Sequence, residues 1–229
     1  LATLLMQTAV INSAYAQRDG AYAFDEGYGV RSALSYLPKD LTGKGVLVGI
    51  IDKGIDFNHI SFLDPVTNQT RIKAALCFKN PGGDYEFSTI PEEISKFDVG
   101  KGSDKEHGTH VAGIAAGSHA ADGWQGIATE ASLILAEEQT GSDINYTLSL
   151  KKMFAVADSL DMPLVVNMSI GFQETFDGFT EMNLLCQELT QQGTAPGRII
   201  TVASGNSGKV QAYSHSAIGS DGKARLVLN

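Results

Sequence analysis

Val46-Leu47-Val48-Gly49-Ile50-Ile51-Asp52 is an unbroken apolar run that ends on a carboxylate. A run without polar alternation suits a strand buried on both faces, as in a parallel sheet. Working outward, three further runs share that character: Ala131–Ala136, Pro163–Met168 and Arg198–Ala203. Between the last three lie helical patterns. Leu148, Met153, Phe154, Val156, Ala157 and Leu160 form one apolar face, and Met182, Leu185, Cys186 and Leu189 form another at i, i+3, i+4, i+7. Buried strands alternating with amphipathic helices predict an α/β fold, a parallel sheet with helices on both faces. Cys186 on a core-facing stripe and Cys77 in the apolar run Ile72–Phe78 read as buried free thiols.

Composition agrees with a globular chain and excludes several classes. The 229 residues carry 17 Lys+Arg against 26 Asp+Glu, a formal charge of −9, with 43% hydrophobic and 19% charged residues. That is neither disordered nor coiled-coil composition. The acidic balance argues against nucleic acid, which wants a basic face. No apolar run reaches the roughly 18 residues of a membrane span. Two cysteines cannot build a disulfide framework. Leu1–Gln17 is mostly apolar and contains Ala14-Tyr15-Ala16, similar to a secretory cleavage site, yet it lacks a basic n-region and places Leu1, Leu4, Leu5 and Thr8 at helical spacing. Residues 1–28 therefore read as an N-terminal arm or a propeptide or leader remnant. Two regions break the strand–helix rhythm. Residues 63–104 form a long polar excursion with turn signals at Pro65, Asn80-Pro81-Gly82-Gly83 and Pro91, and Tyr213–Asn229 reads as a hairpin turning at Asp221-Gly222.

Glycines 43, 45 and 49 mimic a dinucleotide fingerprint, but they precede and enter the strand instead of following it. Gly205–Lys209 is too short for a phosphate loop, and His107 with His110 lacks the Glu and the i, i+4 spacing of a zinc helix. Asp52 is more telling, because open α/β sheets bind their ligands at the carboxyl ends of strands. Three more segments join it: His107-Gly108-Thr109-His110-Val111-Ala112-Gly113-Ile114-Ala115-Ala116-Gly117, a small-residue run suited to a closely packed helix; Asn167-Met168-Ser169-Ile170-Gly171, at a strand end; and Ala203-Ser204-Gly205-Asn206-Ser207-Gly208, at the end of the last strand.

In this order the four segments resemble the subtilisin-like serine proteases, from about Leu41 to Gly208. Asp52-Lys53-Gly54 is similar to the family's aspartate motif, His107-Gly108-Thr109-His110 to its histidine motif, Val165–Gly171 to its substrate-binding strand and Gly205-Asn206 to its oxyanion-hole asparagine. Gly126-Ile127-Ala128-Thr129-Glu130-Ala131 resembles a further family turn, with Thr129 where Pro is usual; Lys53 and Ile60 also depart from the common pattern. The resemblance implies His107 as general base, Asp52 as the carboxylate that orients it, Asn206 as oxyanion donor, and Ser169, Ile170 and Gly171 as a backbone edge for an extended peptide. It implies peptide or protein substrates, an extracytoplasmic location and chemistry that needs no cofactor. A structural calcium stays unassigned, with Asp64 and Asp84 as scattered candidates.

The family's nucleophilic serine sits in a Gly-Thr-Ser-Met-Ala type motif, and none of Ser207, Ser214, Ser216 and Ser220 has that context. The expectation is that residues 29–208 are the N-terminal part of a catalytic domain and that 209–229 open a β-sandwich insert. The serine and the remaining strands would then come from later sequence, in the same or a cleaved second chain, and this chain alone would be inactive. The alternative is a non-catalytic relative that binds peptides.

Overall fold

Five largely hydrophobic runs of five to seven residues and one shorter, more polar segment of four become the strands of one sheet in the computed structural model, which describes residues 41–97, 106–118, 125–171 and 180–203. The strands are β1 (Leu47–Asp52), β2 (Ile72–Phe78), β3 (Tyr85–Ser88), β4 (Ser132–Glu137), β5 (Leu164–Met168) and β6 (Arg198–Val202). They lie in the order β3-β2-β4-β1-β5-β6. All neighbours run parallel except β2 and β3, which are antiparallel. The helices are α1 (Pro91–Ile94), α2 (His107–Ala116), α3 (Asp143–Leu160) and α4 (Glu181–Leu189).

Both faces of the sheet are covered, which is why its central strands need no polar alternation. On one face Val48, Ile50, Leu133 and Leu135 pack with Val111, Ala112 and Ala116 of α2. On the other, Ile51, Ile134, Val166 and Met168 pack with Leu150, Met153 and Phe154 of α3 and Leu185 of α4. Each large side chain buried in this way contributes about 1.5–3 kcal/mol relative to exposure. Cys77 is buried and Cys186 half-buried, both as free thiols; burial pushes the Cys186 thiol up.

The structure differs from the sequence reading in two places. The excursion at 63–104 is not loop alone: β2 and β3 extend the sheet, so the four strands expected from the sequence become six among the described residues. The apolar run Ile72–Phe78, set between the turn signals at Pro65 and Asn80-Pro81-Gly82-Gly83, was not counted among the strands, and β3 is a short edge strand with little apolar signal. Leu160, expected on the buried face of α3, is exposed at the helix end, where Asp161 turns the chain away in left-handed conformation at φ 51°. The N-terminal arm at 1–28, the hairpin at Tyr213–Asn229 and Asn206 lie outside the described residues.

Candidate active site

Asp52 is the last residue of β1, a central strand, and its side chain is almost fully buried. His107 is the first residue of α2 and its side chain is 45% exposed. The structure brings them together: His107 Nδ1 lies 2.6 Å from Asp52 Oδ1. A carboxylate accepts, so Nδ1 carries the proton of this bond and the lone pair of the neutral ring falls on Nε2. Asp52 Oδ1 also accepts the Lys53 N–H at 2.7 Å, whereas the buried Oδ2 has no hydrogen-bond partner among the described residues.

Local sequence explains why a helix can start against this carboxylate. The first N–H groups of a helix have no intrahelical acceptor. Here Gly108 N–H donates to Lys53 O at 2.7 Å and Thr109 N–H to Gly54 O at 3.0 Å, so the turn after Asp52 caps α2 with its carbonyls. The approach demands a glycine. A Cβ at Gly108 would stand 2.6 Å from Ile55 Cγ1, 2.9 Å from Lys53 O and 3.1 Å from Asp52 Cβ. Farther along α2, the 126–131 turn lies on the small-residue face. Ile127 N–H donates to Ile114 O at 3.1 Å and Ala128 N–H to Ala115 O at 2.9 Å, and a Cβ at Gly126 would come within 2.4 Å of Gly113 O.

Ser169, Ile170 and Gly171 follow β5 directly. Met168 pairs with Ile51, so this segment leaves the sheet beside the strand end that carries Asp52. Asn167 is buried; its Nδ2 donates to Ser169 Oγ at 2.9 Å and its Oδ1 accepts from Thr201 Oγ1 at 3.3 Å, which ties the segment to β6. Gly171 is exposed. Asn206 lies outside the described residues, so its relation to the pair is not part of this geometry.

One buried group at this end was not among the sequence candidates. Glu137, the last residue of β4 and the register partner of Asp52, is about as buried as Asp52 itself. Burial raises its pKa, as does the Asp52 charge, against the opposing effect of hydrogen bonds from Gly54, Gln139 and Ile55. The signal available in the sequence was two consecutive carboxylates, Glu137-Glu138, closing an apolar run. Asp64 and Asp84 are occupied locally: Asp64 accepts from Val66 and Thr67 N–H, and Asp84 from Asn80 Nδ2. Those bonds hold the Asp64 carboxyl below its ordinary value. No group of three or more potential metal ligands occurs among the described residues, and no helix among them is long and apolar enough to cross a membrane.

Comparison with known proteins bears on the family and the fold. The model of the subtilase family matches residues 43–228. Minor extracellular protease Epr of Bacillus subtilis is 28% identical over 204 residues, covering 82% of this chain and 29% of that protein. Subtilisin E of the same species is 28% identical over 192 residues, covering 82% and 42%. Subtilisin-like protease PopC of Myxococcus xanthus is 30% identical over 141 residues, covering 58% and 26%. The chain thus spans roughly a quarter to two fifths of the length of these relatives. Among solved structures, the CspB protease of Clostridium perfringens superposes with a TM-score of 0.58 at 27% identity, over 76% of this chain and 39% of that one. A psychrophilic protease designated S41 shares the fold, with a TM-score of 0.51 at 21% identity, over 87% and 63%.

Proposed function

The chain belongs to the subtilase family, and on that premise we propose that it carries the aspartate and histidine of a serine endopeptidase. The observation that carries this reading is the 2.6 Å contact between a buried carboxylate at a central strand end and a half-exposed imidazole. A serine hydroxyl is a weak nucleophile until a base takes its proton. His107 Nε2 is that base in the proposal; Asp52 holds the tautomer and stabilises the imidazolium that forms. The proton then passes from Nε2 to the leaving amine, and a water repeats the cycle on the acyl-enzyme.

The nucleophilic serine is assigned to sequence following residue 229, and the chain by itself is expected to be inactive. Ser169, Ile170 and Gly171 would pair with an extended peptide, and Asn206 would donate to the tetrahedral oxyanion. The names of relatives such as the extracellular protease of Bacillus subtilis support an extracytoplasmic, bacterial setting for this protein too. The chemistry so described uses no cofactor. Structural calcium is left without assigned ligands.

The test is hydrolysis of a peptide substrate by the protein that carries this chain, with and without a serine-directed covalent inhibitor. Inhibitable hydrolysis is expected. Absence of turnover with retained peptide binding would replace this reading by that of a peptide-binding relative. Asn206→Ala is expected to lower kcat by about 10²–10³-fold with little change in KM, the loss that removal of one oxyanion donor brings in a subtilisin. An unchanged kcat would leave Asn206 as a turn residue.

A further inference from the structure

Burying a second carboxylate beside Asp52 is unfavourable unless its hydrogen bonds are used fully. Glu137 directs two of them at one turn. Its Oε1 accepts the Gly54 N–H at 3.1 Å and a Gln139 Nε2–H at 2.7 Å, and its Oε2 accepts the Ile55 N–H at 2.7 Å. Gly54 and Ile55 form the turn after Asp52, with Gly54 at φ +75°. The carbonyls of that same turn, at Lys53 and Gly54, receive the first N–H groups of α2. Thr109 Oγ1 adds a bond to Gly54 O at 3.1 Å and accepts the Asp56 N–H at 2.7 Å. The turn is therefore held by its N–H groups from β4 and by its carbonyls from the helix that begins with His107.

The Asp52 backbone is held in β1, but among the described residues its carboxylate has no hydrogen-bond anchor outside this turn and helix. Its Oδ2 is without a donor, and both bonds to Oδ1 come from Lys53, in the turn, and from His107, on the helix the turn caps. Whatever shifts the turn therefore shifts the carboxylate and the imidazole relative to each other. We propose that Glu137 is a positioning residue for the Asp52–His107 pair, its carboxylate acting as the clamp that keeps the 52–55 turn in register with α2. This rests on the reading of Asp52 and His107 as the catalytic pair. A glutamine cannot replace the clamp, because a side-chain amide has one acceptor oxygen and its NH₂ would face at least one of the N–H donors now bound.

The experiment uses the whole protein that carries this chain. Glu137→Gln, shown folded by circular dichroism, is expected to lower kcat about 10²-fold with KM unchanged, the scale of a small misplacement of catalytic groups. Glu137→Asp, which keeps the charge but falls one methylene short, is expected to lose less. The short bond to Asp52 is expected to give the wild-type protein a strongly deshielded His107 Nδ1–H resonance in its NMR spectrum, and that resonance is expected to move upfield or vanish in Glu137→Gln. In a His107→Ala background, Glu137→Gln is expected to cause no further loss of residual hydrolysis, since the effect travels through His107.

The proposal is overturned if Glu137→Gln leaves kcat and the resonance unchanged, or if it lowers activity by the same factor with and without His107. It is equally overturned if neither Glu137 variant folds, which would make the residue a structural requirement alone. If the wild-type protein proves inactive, the proposed function fails, but the resonance still decides whether Glu137 positions the pair.

Discussion

The two ends of α2 hold buried charge in opposite ways. At its C-terminal end Arg71 donates from Nη2 to Ala116 O, the last residue of the helix, at 2.5 Å and to Ser61 O at 2.8 Å, and from Nη1 to Ala131 O at 2.6 Å. Burial pulls its pKa down to about 10, against the Asp64 charge, so it stays protonated at neutral pH. At the N-terminal end stand the Asp52 and Glu137 carboxylates. Both placements suit the helix dipole, cation at the carbonyl end and anions at the amide end, an effect of about 0.3–1 kcal/mol per charge at the surface. Each group keeps one buried polar atom without a hydrogen-bond partner among the described residues, Arg71 Nε and Asp52 Oδ2, so the difference lies in what the rest of each group meets. The terminal nitrogens of Arg71 are spent on three fixed backbone carbonyls, which ties three segments into one body. Asp52 instead meets an imidazole that is half-exposed. One end holds three segments still, and the other, in the proposed function, moves a proton.

Variants at each end would sharpen or break that contrast. The largest effect is expected from His107→Ala, which should lower kcat by about 10⁴-fold or more while leaving the denaturation midpoint close to wild type. Steady-state kinetics beside urea unfolding checks both halves, and a large stability loss with modest kinetic loss would invert the comparison. Arg71→Met should do the reverse. With packing volume kept but three carbonyls left without their donor, a loss of about 3 kcal/mol is expected in urea unfolding, with kcat of the folded protein little changed.

The smallest effect concerns pH. Burial raises the Glu137 carboxyl above its ordinary value of 4.5, so the folded state holds that proton more tightly than the unfolded chain. The stability it contributes is complete below pH 4.5 and is lost as pH rises through the folded value. Glu137→Gln removes this dependence. The stability difference between the two proteins should therefore shift in favour of the variant as pH rises through that window, measured by urea unfolding on either side of it. A pH-independent difference would show that the Glu137 environment is not as dry as its burial implies.

Much of this was legible in the chain before any coordinates. The central strands announced themselves because burial on both faces leaves continuous apolar runs, and Asp52 stood out as the polar residue that ends one. β2 was visible as the apolar run Ile72–Phe78 but not as a member of the sheet, because turn signals flank it in a polar stretch, and an edge strand such as Tyr85–Ser88 has one partner and little apolar periodicity. The roles of Gly108 and Gly126 were likewise hidden, since a glycine in sequence does not say which atom would occupy the place of its Cβ.

By itself the sequence determined the fold class, the family and the identity of Asp52 and His107 as candidates, because each depends on residue type and short-range order. The tertiary structure alone decided the rest. The Asp52–His107 distance joins residues 55 apart in the chain, and the bonds of Glu137 to Gly54 and Ile55 span 83 and 82 positions. Such contacts are set by strand order and register, here Asp52 beside Glu137 on neighbouring parallel strands. Local pattern does not encode which strands become neighbours; the burial of both sheet faces under α1, α2, α3 and α4 does.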